Sequence, residues 1–163
     1  MKRNILKALS MLLCMSALSL MLTACGSDDE PNLTQEFYVR GAITEQYGTF
    51  MGGETGISGF DENSPEFKFY KPIYEEVKTI IKAQTWVVNY KQEEKAQKIK
   101  EQNEIAEKRF SEMVRALEAV QKKLDAADKN AYKCHFAMTV KMVAVGENEI
   151  RSGQKTISFE GNE

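Results

Sequence analysis

Histidine is all but missing from this chain of 163 residues: His135 is the only one. A histidine-rich zinc site and a helical metalloprotease motif both need more than one, so both are excluded. Cys134 and His135 form the only adjacent thiol and imidazole, and they fail as a catalytic pair because neighbours on a strand point to opposite faces. A buried, apolar role for Cys134 and a solvent-side position for His135 follow. A nucleophile elbow is missing too. Ser58 in Gly56-Ile57-Ser58-Gly59 comes near the pattern, but it lacks a strand-to-helix turn and any partner beyond His135. There is no Gly-Lys-Ser/Thr ending and no GxGxxG opening onto a helix, which removes the common phosphate cradles. Carboxylates abound, yet spacing alone nominates no two of them for acid–base work. The expectation is a protein without enzymatic activity, metal or cofactor.

A basic excess is also lacking. Lys and Arg number 22 against 24 Asp and Glu, and the lysines are interleaved with glutamates. Such a surface repels a phosphate backbone, so nucleic acid is not an expected partner. One charge-free apolar run, Ala8 to Leu22, is too short to cross a bilayer comfortably as a helix, and Lys2, Arg3 and Lys7 precede it. A positive start followed by a short apolar stretch is the pattern of a secretory signal peptide.

The run ends in Leu22-Thr23-Ala24-Cys25, which resembles the lipobox of bacterial lipoproteins. The resemblance implies cleavage between Ala24 and Cys25, a diacylglyceryl thioether on the Cys25 sulfur and acylation of the new N-terminus. The membrane then becomes a partner through the lipid anchor. A buried methylene contributes about 0.8 kcal/mol, so one acyl chain holds a protein marginally and two or more hold it stably. On this reading Cys14 leaves with residues 1–24 and Cys25 carries lipid, so Cys134 is left alone and no intramolecular disulfide forms. Loss of Lys2, Arg3 and Lys7 makes the remaining chain more acidic.

Gly26-Ser27-Asp28-Asp29-Glu30-Pro31-Asn32 has nothing to bury and reads as a flexible spacer, part of a tether over 25–36. Its acidic run is similar to the signal by which Bacteroidota-type lipoproteins reach the outer face of the outer membrane. A lipoprotein facing the periplasm is the alternative.

A single domain is expected over 37–163, long enough for one modest core. Phe37, Val39, Gly41 and Ile43 alternate with Tyr38, Arg40, Ala42 and Thr44, which predicts a half-buried strand. Five glycines between Tyr47 and Phe60 exclude a helix or continuous strand there. Tyr47, Phe50, Met51 and Phe60 make this loop, 47–60, a candidate binding site for a glycan or an envelope protein. A plain glycine-rich connector is the competing reading.

Ser64-Pro65-Glu66 would suit a helix start, but Pro72 would then fall inside the second turn. An extended piece over Glu66 to Tyr70 with a helix opening at Pro72 avoids this. Ile73, Val77, Ile80, Ile81, Val87 and Val88 carry that helix toward Tyr90, while the alternation of Trp86, Val88 and Tyr90 makes a strand over Thr85 to Tyr90 the competitor. Lys91 to Glu104 predicts a solvated helix. From Ala106 to Ala127 the residues Phe110, Met113, Leu117, Val120 and Leu124 recur in steps of four and three. That seam can pack on the chain's own sheet or pair two copies as a homodimer. Tyr132 to Met142 reads as the longest strand, with Tyr132, Cys134 and Phe136 facing inward. Gly146-Glu147-Asn148 and Gly153 are turn signals, and Lys155 to Glu160 supplies a last strand in hairpin with it.

Together these elements predict an α+β fold: an antiparallel sheet of about three strands, one face covered by one or two long helices and the other wet. The functional expectation is a membrane-anchored envelope protein that works as an interaction or binding module. A hydrolytic or glycan-active accessory protein using the glycine loop is the alternative.

Overall fold

The computed structural model describes residues 32–48 and 62–162. Its elements run β1 (Leu33–Gly48), α1 (Pro65–Ile80), β2 (Gln84–Tyr90), α2 (Lys95–Asp125), β3 (His135–Val145) and β4 (Glu149–Glu160). The four strands form one antiparallel sheet in the order β2-β1-β3-β4. The α+β class is as expected, with one strand more than the sequence suggested. No helix among the described residues is long and apolar enough to cross a membrane.

The sheet is built around β1, whose two halves have different partners. Leu33 to Val39 pairs with Tyr90 to Gln84, and Tyr38 to Gly48 pairs with Val145 to Phe136, with a register shift between Ile43 and Glu45. The strand therefore starts at Leu33, ahead of the expected Phe37. Leu33 to Glu36 look weakly strand-like alone and become a strand because β2 supplies their hydrogen bonds.

Two expectations about the region before α2 need correction. Helix α1 opens at Pro65, not at Pro72, and there is no extended piece over Glu66 to Tyr70. Ser64 caps the helix by accepting a hydrogen bond from the Phe67 N–H at 3.1 Å, and Pro65 occupies a first-turn position where its missing N–H is harmless. Pro72 lies inside the helix and has no N–H to offer the Lys68 carbonyl. An interior proline costs about 3 kcal/mol. Burial of Phe67, Tyr70 and Val77 offsets this, since each such side chain contributes about 1.5–3 kcal/mol. The second correction concerns Thr85 to Tyr90, which lie in β2: the strand alternative holds and the helix ends at Ile80. Trp86, Val88 and Tyr90 share the face of Phe37, and Trp86 stacks on Phe37 with ring centroids 5.7 Å apart.

After a single 3-10 turn at Gln92–Glu94, whose Glu94 carboxylate accepts from the Lys91 N–H at 3.0 Å, α2 runs for 31 residues. Ala106, Phe110, Met113, Leu117, Val120 and Leu124 are buried along one stripe. Lys122 and Lys123 in the last turn complement the negative end of the helix dipole. The stripe meets Phe136, Met138, Val140, Met142 and Ala144 of β3 and Ile157 and Phe159 of β4 in one core, so the seam packs on the chain's own sheet.

Helix α2 also closes the β4 edge. The Gln121 side chain donates to the Ser158 carbonyl at 3.0 Å and accepts from the Ser158 N–H at 2.9 Å, as a neighbouring strand would. Ion pairs between Arg151 and Glu107 and between Lys155 and Glu118 tie the same edge to the helix at half-exposed positions, where each is worth at most about 1 kcal/mol.

The final hairpin is longer than expected. It turns at Gly146, where a β-carbon would sit 2.5 Å from the Phe37 ring. Gly153 is no turn: it lies within β4, opposite Met142, and a β-carbon there would meet the Phe110 ring at 3.2 Å. Strand β4 accordingly begins at Glu149 rather than Lys155. Strand β3 begins at His135, while Tyr132 still turns inward and stacks on Phe69 at 4.1 Å.

Leu117 is fully buried whereas Ile105 on the same helix is 39% exposed. Chemical denaturation should therefore show Leu117→Ala losing about 2–5 kcal/mol of stability, against about 0.5 kcal/mol or less for Ile105→Ala.

Candidate functional site

The residues singled out by the sequence fall into three groups. Ala24 and Cys25 of the lipobox, and Phe50, Met51, Phe60 and Ser58 of the glycine loop, lie outside the described residues. Tyr47 is described: it is the penultimate residue of β1, opposite Ala137, and 62% exposed. Its ring stands on the sheet face away from the helices, at the end of β1 remote from β2.

Cys134 and His135 form the third group, and the geometry separates them. Cys134 is buried in the core just before β3, its carbonyl accepting from the Gly161 N–H at 2.8 Å, while His135 is exposed and lies opposite Glu160. Burial, with a smaller contribution from the Glu66 carboxylate, pushes the Cys134 thiol up to about 11. A thiol so protonated is a poor nucleophile near neutral pH. Burial likewise raises the Tyr70 hydroxyl, with Tyr74 adding to the effect. In its protonated state Tyr70 donates to the Gln46 Oε1 at 3.0 Å and fixes α1 to the far end of β1.

The sequence did not reveal a concavity that lies among the described residues. A shallow groove of about 680 Å³ lies between the first half of α2 and the β3–β4 turn. Ala96, Ile99 and Ile150 give it apolar floor, and Glu104, Glu147 and Glu149 rim it. Cations moderate the rim: Lys100 lines the groove, Lys95 bonds Glu147 at 2.8 Å, which raises the lysine's pKa, and Arg151 bonds Glu107 at 3.2 Å. These carboxylates are spread along the groove. Among the described residues no group of three or more His, Cys, Asp or Glu is placed to hold a metal ion. Nothing in the sequence marks this groove, because it joins residues about fifty positions apart.

A second arrangement is structural in kind but unusual in composition. The Arg109 guanidinium lies 4.2 Å from the centre of the Trp86 ring, which also stacks with Phe37, and the indole N–H donates to Gln102 at 2.9 Å. Trp86 is thereby held from α2, and β2 is locked to the body of the domain. Gln102 and Arg109 are seven residues apart, about two helical turns, which puts both on the side of α2 that faces β2.

No protein-family model, curated protein or solved structure matches this chain.

The raised Cys134 and Tyr70 values have a consequence in alkali. Folding favours the protonated thiol, so its contribution to stability is complete below about pH 9 and is lost as pH rises toward 11. The urea midpoint should fall across that window. Cys134→Ala should make the fall shallower without abolishing it, because the Tyr70 share persists.

Proposed function

We propose that this chain is a lipid-anchored cell-envelope lipoprotein whose folded domain serves as a non-enzymatic interaction module. The observation that carries the reading is Leu22-Thr23-Ala24-Cys25 at the end of an apolar run headed by Lys2, Arg3 and Lys7. The thiol is the acceptor this chemistry needs, and the small residues before it give a peptidase access to the bond. Two or three acyl chains on Cys25 make attachment stable, whereas one would not.

The position of the fold fits a short tether. Strand β1 begins at Leu33, and segment 26–32 can span at most about 25 Å even fully extended. Any surface this domain offers would therefore work close to a membrane. Delivery to the outer face of the outer membrane is supported by the acidic run Asp28-Asp29-Glu30 behind Cys25.

Mass spectrometry of the native N-terminus tests the anchor. The expected product is a peptide beginning at Cys25 and carrying the mass of two or more acyl chains, and Cys25→Ser should keep the signal peptide and gain no lipid. A free thiol at Cys25, or a chain beginning elsewhere, would remove the basis of the proposal.

A second reading, a glycan-active accessory protein, draws on the exposed ring of Tyr47 at the start of the glycine loop. Trp86 sits at the opposite end of β1 and is a poor reporter for that loop, so calorimetry is the suitable measurement. Binding of envelope glycans that weakens at least tenfold in Tyr47→Ala would support the glycan reading. Absence of heat with the unsubstituted chain would remove it.

A further inference from the structure

The groove beside α2 has two walls of different origin. Ala96, Ile99, Asn103 and Glu107 recur in steps of three and four, so they lie on one face of the helix and make a wall about 16 Å long. The β3–β4 turn and the start of β4 supply the other wall. The ion pairs Lys95–Glu147 and Arg151–Glu107 join the walls at the two ends and place Glu149 between them. The volume of about 680 Å³ is that of a ligand site.

The floor of Ala96, Ile99 and Ile150 is apolar, and four carboxylates line the groove against a single lining cation, Lys100. Two of those carboxylates, Glu147 and Glu107, are neutralised by Lys95 and Arg151. Glu104 on the helix wall and Glu149 on the strand wall have no cationic partner among the described residues, Glu149 accepting only from the Ser152 hydroxyl at 2.8 Å. Lys100, one turn before Glu104, makes no ion pair with it. Asn103 and Asn148 stand on opposite walls, and among the described residues neither side-chain amide has a hydrogen-bond partner. Each amide offers a donor and an acceptor, the same two groups that a peptide main chain presents.

We propose that this groove binds an extended basic peptide segment of about five residues, its apolar side chains resting on the floor and its Lys or Arg side chains reaching Glu104 and Glu149. At about 3.3 Å per residue, five extended residues match the length of the helix wall. Charge complementarity selects this occupant: the unneutralised carboxylates repel phosphate-bearing ligands and attract cations. A Lys or Arg stem covers apolar surface while its head stays in water, which suits a floor and rim of this kind. Lys100 repels a cation on the side toward Ala96 and so confines the basic side chains to the stretch beside Glu104 and Glu149. Asn103 and Asn148 hold the peptide main chain from both walls. A shallow groove lets the bound chain continue past either end. The proposal rests on the reading of the domain as an interaction module but not on the anchor, because a titration reads the folded domain whether or not Cys25 carries lipid.

Fluorescence anisotropy of the full chain, with labelled acetyl-Lys-Leu-Lys-Leu-Lys-amide as the probe, tests this. Binding should saturate and weaken as salt rises. The probe with glutamate in place of lysine should not bind, and the probe with serine in place of leucine should bind about tenfold more weakly or worse. Glu104→Gln and Glu149→Gln should each weaken binding about two- to fivefold, the size of an exposed ion pair, and reduce its salt dependence. Asn103→Ala should weaken it by about two- to tenfold with the salt dependence unchanged. Glu36→Gln, on the sheet face away from the helices, should leave it as it was. Glu104 and Glu149 are exposed and Asn103 is outside the core, so these substitutions leave the fold intact, which an unchanged far-ultraviolet spectrum checks. Absence of saturable binding, equal binding of the glutamate peptide, or equal losses in Glu36→Gln and Glu149→Gln would overturn the proposal. Displacement of the probe by spermine at matched charge would also overturn it, marking the groove as a site for free cations.

Discussion

The whole domain depends on one helix lying across one sheet face. The stripe from Ala106 to Leu124 supplies the helical half of the core, and β3 and β4 supply the other half, with Phe136, Met138, Val140, Ile157 and Phe159 fully or almost fully buried against it. At roughly 1.5–3 kcal/mol for each large apolar side chain removed from water, this contact outweighs the surface ion pairs around it, each worth at most about 1 kcal/mol. The exposed and highly charged first turns of α2 are helical because the later turns are packed: propensity and spaced ion pairs alone leave such a segment marginal. Helix α1, with Pro72 in its middle, depends on the same core, since Tyr70 meets Phe136 at 5.1 Å and Val77 is fully buried.

The arrangement also explains how a small sheet manages its edges. Helix α2 crosses beyond the core to reach β4, where the Gln121 amide substitutes for a missing strand. At the other side the helix reaches β2 through Arg109 and Gln102 on Trp86, and among the described residues β1 is the one strand paired with it. The same helix thus closes one border of the sheet and braces the other.

How much of this could be read from the chain depended on whether a pattern was local. The α2 stripe was legible because a single element carries it over several turns, and the opposed faces of Cys134 and His135 followed from strand geometry alone. Thr85 to Tyr90 satisfied two periods at once, and only pairing with Leu33 to Val39 decided between them. Pro72 misled because the rule it breaks is a local one, whereas the burial that overrides it is tertiary. Gly153 resembles a turn signal in sequence and is instead the space that the Phe110 ring requires. The groove beside α2 and the Gln121 clamp were invisible, since each joins residues tens of positions apart that share no motif. Of the loop aromatics named from sequence, Tyr47 alone falls among the described residues.

The staggered pairing of β1 has a mechanical consequence. A pull at Leu33 directed along the strand would load the ladders to β2 and β3 in shear, so that many hydrogen bonds resist together rather than opening one after another like a zip. Because its two halves lean on different neighbours, the strand cannot slide out along its axis without breaking both ladders, so a load taken up at Leu33 is shared across the sheet.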